Sequence, residues 1–207
     1  MTTIIRKTAL TIAGTAIIGG AIAAPAAAFA GSPTTDRPNG GRELSIRYEA
    51  QPNFYYCGPA AARNALTAID KNPSVDEAAR HMGTTEAGTN SATDITRYLN
   101  TETGNKYRTI EIPTPKADDK QTDTLRTDIT KTVDDGRAVV ANIAGTTTDT
   151  NGTPHSFEGG HYISVVGYRD NGHTVKIADS ANPNQASYWI TTDNLADWIA
   201  TRGYSTS

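Results

Sequence analysis

The sequence predicts an α+β protein in which helices come first and antiparallel strands follow. Three observations carry that expectation. After Cys57, the apolar residues Ala61, Ala65, Leu66 and Ile69 recur at helical spacing. Ser74 and Ser91 each stand just ahead of a short amphipathic run, as helix N-caps do. The run His161–Tyr168 is nearly apolar at every position, as in a strand covered on both faces, and a hairpin signal follows it at Arg169-Asp170-Asn171-Gly172-His173. A helical half ahead of a stranded half reads as α+β with the two kinds of element segregated.

The elements follow in order. Residues 1–30 read as an export signal: Arg6 and Lys7 form its basic head, Thr8 to Ala24 its apolar stretch, and Ala28-Phe29-Ala30 a small-x-small cleavage pattern. Cleavage after Ala30 is expected, with a secreted product, extracellular or held at the cell wall, and the Ala-rich signal suggests a bacterial source. Residues 31–44 form a Pro/Gly/Ser/Thr-rich flexible spacer, and residues 45–207 one folded domain beginning near Leu44. The helix from Cys57 ends at Asp70-Lys71-Asn72-Pro73. Ser74-Val75-Asp76-Glu77 resembles a capping box opening a second helix to about Met82, stopped by Gly83. Ser91-Ala92-Thr93-Asp94 starts a third, with Ile95, Tyr98 and Leu99 inward. Pro113 and Pro115 mark a loop before a polar helix near Asp123–Asp134. Strands are expected at Ala138–Ala144, His161–Tyr168, Val175–Asp179 and Ser187–Thr191, with a Thr/Gly/Asn-rich loop after the first and a closing helix over Asn194–Thr201.

Composition narrows the function classes. The chain has 207 residues and a net charge of −3, and all 22 acidic residues lie beyond the signal. No basic block is interleaved with aromatics, so nucleic acid is not expected as a partner. No second apolar stretch spans a membrane, so no membrane association is expected once the signal is removed. No clustered His, CxxC, GxGxxG or P-loop appears, so neither a metal nor another cofactor is expected. A monomer is expected.

Cys57 is the only cysteine. An unpaired thiol in an exported protein points to intermolecular pairing or to a reactive group. A thiol becomes a nucleophile when it ionises, and a helix N-terminus or a neighbouring imidazolium lowers its pKa from about 8.5 to about 3.5–7.5. Gly58-Pro59 opens the predicted helix directly after Cys57, with Pro at a favourable early position. The sulfur therefore sits where the helix dipole stabilises a thiolate. The same helix end offers the Cys57 backbone N–H to a developing oxyanion, and Gln51 can supply a second donor.

Gln51 six residues before Cys57, then Cys57-Gly58-Pro59-Ala60-Ala61, then His161-Tyr162 and Asp179, resembles the papain-like cysteine peptidases. Within them the pattern is most similar to the bacteriocin-leader-processing group, family thirty-nine of the cysteine peptidases, in its small secreted branch. The resemblance spans roughly Ser45 to Ile190, and the Gln-x5-Cys-Gly-Pro segment carries most of it. It implies a papain-like fold, with the Cys-bearing helix packed on an antiparallel sheet. It also implies Cys57 as nucleophile, His161 as general base and acid, Asp179 as orienting group, Gln51 as oxyanion donor, and a peptide or protein substrate. Two departures stand out. The family usually has proline after its aspartate, where this chain has Ser180-Ala181-Asn182-Pro183, which leaves the strand end less constrained. No transporter segment accompanies the domain, so a double-glycine leader is not implied as substrate.

Hairpin register decides whether His161 and Asp179 can meet. A two-residue turn at Asn171-Gly172 pairs Asp170 with His173 and puts Asp179 opposite Ser164, on the face away from His161. A three-residue loop, Asp170-Asn171-Gly172, or an equivalent bulge, pairs Arg169 with His173 and puts Asp179 opposite Ile163. Asp179 is then diagonal to His161 on one face, about 7–8 Å apart at the backbone. The three-residue loop or its equivalent is expected.

His155, six residues ahead of His161, is the rival base, but its predicted loop positions a base poorly. His81 falls in the last turn of the second helix and His173 in the hairpin. Three function classes remain open: hydrolysis of peptide bonds through an acyl-enzyme, transfer of the same acyl group to an amine, and binding without turnover.

Overall fold

The structure is a computed structural model, and it describes residues 40–207. The expected export signal and most of the expected spacer lie outside the described residues. Ordered pairing begins at β1 (Arg42–Glu43), whose residues pair with Tyr168 and Gly167, slightly ahead of the expected start near Leu44.

The remaining elements are α1 (Cys57–Leu66), α2 (Val75–Met82), α3 (Ala92–Thr103), β2 (Arg108–Ile112), α4 (Asp119–Asp134), β3 (Val139–Thr148), β4 (Pro154–Arg169), β5 (Thr174–Ala178), β6 (Ser187–Thr191), α5 (Thr192–Ile199) and β7 (Arg202–Thr206). The sheet is antiparallel, in the order β2-β7-β3-β4-β5-β6, with β1 added to β4. The two serine caps form as expected: Ser74 Oγ accepts the Glu77 N–H at 3.1 Å and Ser91 Oγ accepts the Asp94 N–H at 3.3 Å.

Both faces of the sheet are covered, and strand alternation sorts the residues between them. Ala138, Val140, Tyr162, Val166 and Ala178 pack with α1, α2 and α3. Val139, Ala141, Ile143, Ile163, Val165, Val175 and Ile177 pack with Leu125, Ile129 and Val133 of α4 and Leu195, Trp198 and Ile199 of α5. The helices are thus divided between the faces rather than gathered into one half, and the fold is a three-layer α+β arrangement. This double cover explains why β4 reads as apolar throughout.

α1 is buried along its whole length and fixed from two sides. Ser164 Oγ, on β4, donates to the Ala61 carbonyl at 2.7 Å. On the other side, the Asn64 side chain accepts the Glu49 N–H and donates to the Glu49 carbonyl, both at 2.9 Å, as a neighbouring strand would. The Arg47 N–H donates to Thr67 Oγ1 at 2.9 Å. The segment leading to Gln51 is therefore strapped along α1.

The β4–β5 connection takes the second of the two forms expected, a bulge in place of the three-residue loop. Arg169 pairs with Thr174, so the loop holds four residues, Asp170–His173, rather than three. Left-handed backbone at Asp170, Asn171 and Gly172 (φ 55°, 53° and 85°) closes it. That loop alone would place Asp179 opposite Ser164, on the wrong face. A bulge at Val166 corrects the parity: Gly167 pairs with Lys176, but Val165 pairs with Ile177 and Ser164 with Ala178. The next position in register sets Asp179 against Ile163. The bulged Val166 carbonyl accepts the Leu44 N–H at 2.8 Å.

Candidate active site

Cys57 is the first residue of α1. Its N-cap, Tyr56, supplies no side-chain hydrogen bond to the helix head. Pro59 is the third helical residue rather than the first, still within the turn whose N–H groups have no helical acceptor. The backbone N–H of Gly58 donates to the Cys57 sulfur. The β4–β5 ladder ends at Ser164–Ala178, so Tyr162 has no partner on β5, and its N–H also reaches the sulfur. The thiol lies at the gap where β5 leaves β4, reached by α1 from one side of the sheet.

His161 and Asp179 reach that gap from the other side, since they alternate with Ile163 and Ile177 on the face covered by α5. His161 Nε2–H donates to Asp179 Oδ1 at 2.8 Å. This leaves Nδ1 for Cys57, with which the imidazole is hydrogen-bonded. All three residues are buried: Cys57 is 8%, His161 4% and Asp179 2% exposed.

Their titrations are shifted together. Burial opposes ionisation of Cys57, yet the His161 hydrogen bond and charge, with the Tyr162 and Gly58 N–H groups, hold the thiol below its ordinary value. Burial also opposes charge on His161, but the hydrogen bonds and charges of Asp179 and Cys57 push it up to about 9. Asp179 stays below the usual carboxylate range despite burial, because His161, the Ala181 N–H and Tyr188 all stabilise its charge. The arrangement favours a thiolate–imidazolium pair whose titration belongs to both groups.

The strand end carrying Asp179 is firmly held without the family's proline. The Ala181 N–H donates to Asp179 Oδ1 at 3.0 Å, Tyr188 O–H to Oδ2 at 2.9 Å, and Tyr48 O–H to the Asp179 carbonyl at 2.9 Å. Burial, and then the charge of Asp179, push Tyr48 up to about 12. The sequence-based expectation of a less constrained strand end is therefore corrected: an Asx turn and two tyrosines take over the proline's work.

Gln51 joins this strand end. Its N–H donates to the Ser180 carbonyl at 3.0 Å, and its Oε1 accepts from Ser180 Oγ at 3.1 Å. Its Nε2 donates one proton to the Asn53 carbonyl at 2.8 Å, which leaves the second amide proton uncommitted.

His155 is not in the predicted loop; β4 extends to Pro154 and buries it. It faces Asp149 rather than Cys57, with Nε2 3.2 Å from Asp149 Oδ2. Asp149 also accepts the Asn151 and Thr153 N–H groups at 2.8 and 2.9 Å, which closes the β3–β4 hairpin. The His155 ring stacks on Tyr188 at 3.7 Å, so this second His–Asp pair buttresses the tyrosine that holds Asp179. His81 and His173 are exposed.

Sequence reasoning missed Phe157, which stacks on the His161 ring at 4.0 Å and 16° and covers the His–Asp pair. An aromatic four residues ahead of a strand histidine is the signal that points to it, once β4 is known to extend that far. Tyr188 and Tyr48 carried no local signal. Among the described residues no group of three or more His, Cys, Asp or Glu is placed to hold a metal ion, and no helix is long and apolar enough to cross a membrane.

Comparison with solved structures places the fold. The peptidase domain of Streptococcus ComA, a bifunctional ABC transporter of a quorum-sensing pathway, superposes with a TM-score of 0.51 at 16% identity, over 76% of this chain and 96% of that one. A protein described as a C39-like peptidase from Bacillus anthracis superposes with a TM-score of 0.53 at 11% identity, over 77% and 93% of the two chains. No curated protein matches the sequence. A family model does, over residues 43–206, which takes in Gln51, Cys57, His161 and Asp179: the chain belongs to the Peptidase_C39 like family.

Proposed function

We propose that the protein is a secreted cysteine peptidase that hydrolyses peptide bonds through a thiolate nucleophile and an acyl-enzyme intermediate. The observation that carries this reading is the hydrogen-bonded chain Cys57–His161–Asp179, with the thiol lowered and the imidazole raised. Family membership supports the same chemistry.

The Cys57 thiolate attacks the scissile carbonyl, and the oxyanion is received by the Cys57 N–H and the free amide proton of Gln51. His161 gives its Nδ1 proton to the departing amine and leaves the thioester. A water molecule then enters, loses its proton to His161 and attacks the thioester, releasing the acid and regenerating the thiolate. Asp179 fixes the tautomer and balances the imidazolium charge throughout. No cofactor takes part in this sequence.

A thiol-directed peptidyl trap tests the reading. Wild type should be modified at Cys57, while Cys57→Ser should not be modified and His161→Ala only slowly. Cleaved peptide as the product identifies hydrolysis, and mass-spectrometric ligation products would assign acyl transfer instead. A Cys57→Ser protein that retains full biological activity would indicate binding without turnover. For export, the secreted protein should begin at Gly31 on N-terminal sequencing; a retained leader would refute it.

A further inference from the structure

Arg202, the first residue of β7, lies beside the site without a role in the steps above. Arg47, Arg63, Arg97, Arg108, Arg126 and Arg137 each meet a carboxylate. Arg202 is half-buried, yet among the described residues its guanidinium has neither an ion pair nor a side-chain hydrogen bond.

What it has is a seat on Gly160. Its Nη2, Cζ and Nη1 lie 3.3, 3.4 and 3.4 Å from the point where a Cβ at residue 160 would stand. Three nearly equal distances mean that the guanidinium plane lies face-on over that position. Gly160 has φ +92°, a conformation that side chains disfavour, and any side chain there would press on the plane. A guanidinium stacked by its face keeps its in-plane N–H groups directed outward, the geometry that grips a planar anion with two parallel hydrogen bonds.

Gly160 directly precedes His161. Register places the guanidinium at the same end of the sheet: Tyr204 pairs with Ala141 and His161 with Ile143, so Arg202 and His161 flank the same stretch of β3. The charge of Arg202 is also felt at Tyr162, whose N–H touches the Cys57 sulfur.

We propose that Arg202 is a specificity-determining residue that selects peptide substrates carrying a carboxylate close to the scissile bond. The proposal rests on the peptidase reading above. The carboxylate is either an Asp or Glu side chain or the peptide's own C-terminus. In a chain of net charge −3, a fixed cation at the site offsets the general repulsion that such a substrate meets.

Quenched fluorescent peptides, given to wild type, Arg202→Gln and Arg202→Lys, test it. One set compares Asp or Glu with Asn or Gln at each position flanking the cleaved bond, and the other compares free with amidated C-termini. Wild type should favour one carboxylate peptide over its neutral counterpart by on the order of tenfold to a hundredfold in kcat/KM, mostly through KM. The set that shows the preference identifies the source. Arg202→Gln should bring that ratio close to one, Arg202→Lys should restore only part of it, and about 0.5 M salt should weaken it in wild type. A wild-type ratio near one would overturn the proposal, as would an Arg202→Gln variant that keeps the wild-type ratio. Fluorescence polarisation of the same peptides with Cys57→Ala separates the two claims. Arg202-dependent carboxylate preference in binding, with no cleavage by wild type, would keep the site and refute the hydrolase. Cleavage without that preference would do the reverse.

Discussion

Gly58→Ala tests the packing that seats Cys57, because two effects of opposite sign compete there. Helix propensity favours Ala over Gly by up to about 1 kcal/mol. Against this, a Cβ at residue 58 would stand 2.4 Å from Thr89 Oγ1, 2.9 Å from Thr89 Cβ and 3.2 Å from Ile95 Cδ1. Thr89 cannot simply turn away, since its Oγ1 is 2.8 Å from Thr84 Oγ1 and its carbonyl accepts from Tyr162 O–H at 3.3 Å. Overpacking of this kind costs about 1–3 kcal/mol, and disturbing the hydroxyl pair adds about 0.5–1.5 kcal/mol. The net expectation is a loss of about 1–3 kcal/mol, or a fall in Tm of roughly 2–12 °C for a domain of this size. Urea unfolding at constant m-value measures it. Thr89→Gly removes the opposing atoms, so the double variant should lose less than the sum of the two singles by about 0.5–3 kcal/mol. A more stable Gly58→Ala protein, or strict additivity with Thr89→Gly, would refute the close approach.

Three further perturbations have definite expected outcomes. Tyr188→Phe keeps the ring on His155 but removes a hydrogen bond to a charged group, worth about 1.5–3 kcal/mol, from Asp179 Oδ2. The lowered Asp179 carboxyl contributes stability above its unfolded value and loses it as pH falls through its folded value. Raising that folded value by about one to two units should therefore start acid unfolding at higher pH, as followed by tryptophan fluorescence; an unmoved acid transition would contradict it. The pH profile of kcat/KM should rise below the ordinary thiol range and fall near about 9, where His161 gives up the proton it donates to the leaving amine. A fall near the ordinary histidine value of about 6.5 would show that Asp179 does not hold the imidazolium. Deleting Ile177 from β5 should leave the bulge in place, pair Asp179 with Ser164 on the opposite face and lower kcat by at least about a thousandfold. A deletion variant that folds, by far-UV circular dichroism, and keeps its activity would disprove the register argument.

The helical half was legible because its signals are local. The caps at Ser74 and Ser91 and the spacing after Cys57 depend only on near neighbours in the chain. β7 was not legible, because beside Tyr204 its buried side chains are small hydroxyls rather than apolar groups: Ser205 Oγ lies 2.7 Å from Thr96 Oγ1, and Thr206 Oγ1 2.7 Å from Thr132 Oγ1. β2 pairs only with β7 and was missed with it. The outer part of the β3–β4 hairpin reads as a loop because its partners are polar, with Thr146 Oγ1 donating to Ser156 Oγ at 2.7 Å. For the site, the resemblance pointed to Cys57, Gln51, His161 and Asp179, and the structure joins Cys57, His161 and Asp179 by hydrogen bonds while Gln51 is bonded to Asn53 and Ser180. The loop is one residue longer than three, and the Val166 bulge, whose carbonyl is held by distant Leu44, compensates for it. Tyr48, Tyr188 and Phe157 meet the site only after the sheet has formed, so no sequence window contains them with it.

The pH dependence of iodoacetamide alkylation addresses the thiolate–imidazolium pair most directly, because Cys57 is the only thiol in the chain. Comparing the midpoint of the rate in wild type and in His161→Ala removes differences in access. Wild type should show a midpoint below the ordinary thiol value of about 8.5. In His161→Ala burial acts without its main opponent, and the midpoint should move above that value. Superimposable midpoints in the two proteins would mean that the imidazole does not activate the sulfur.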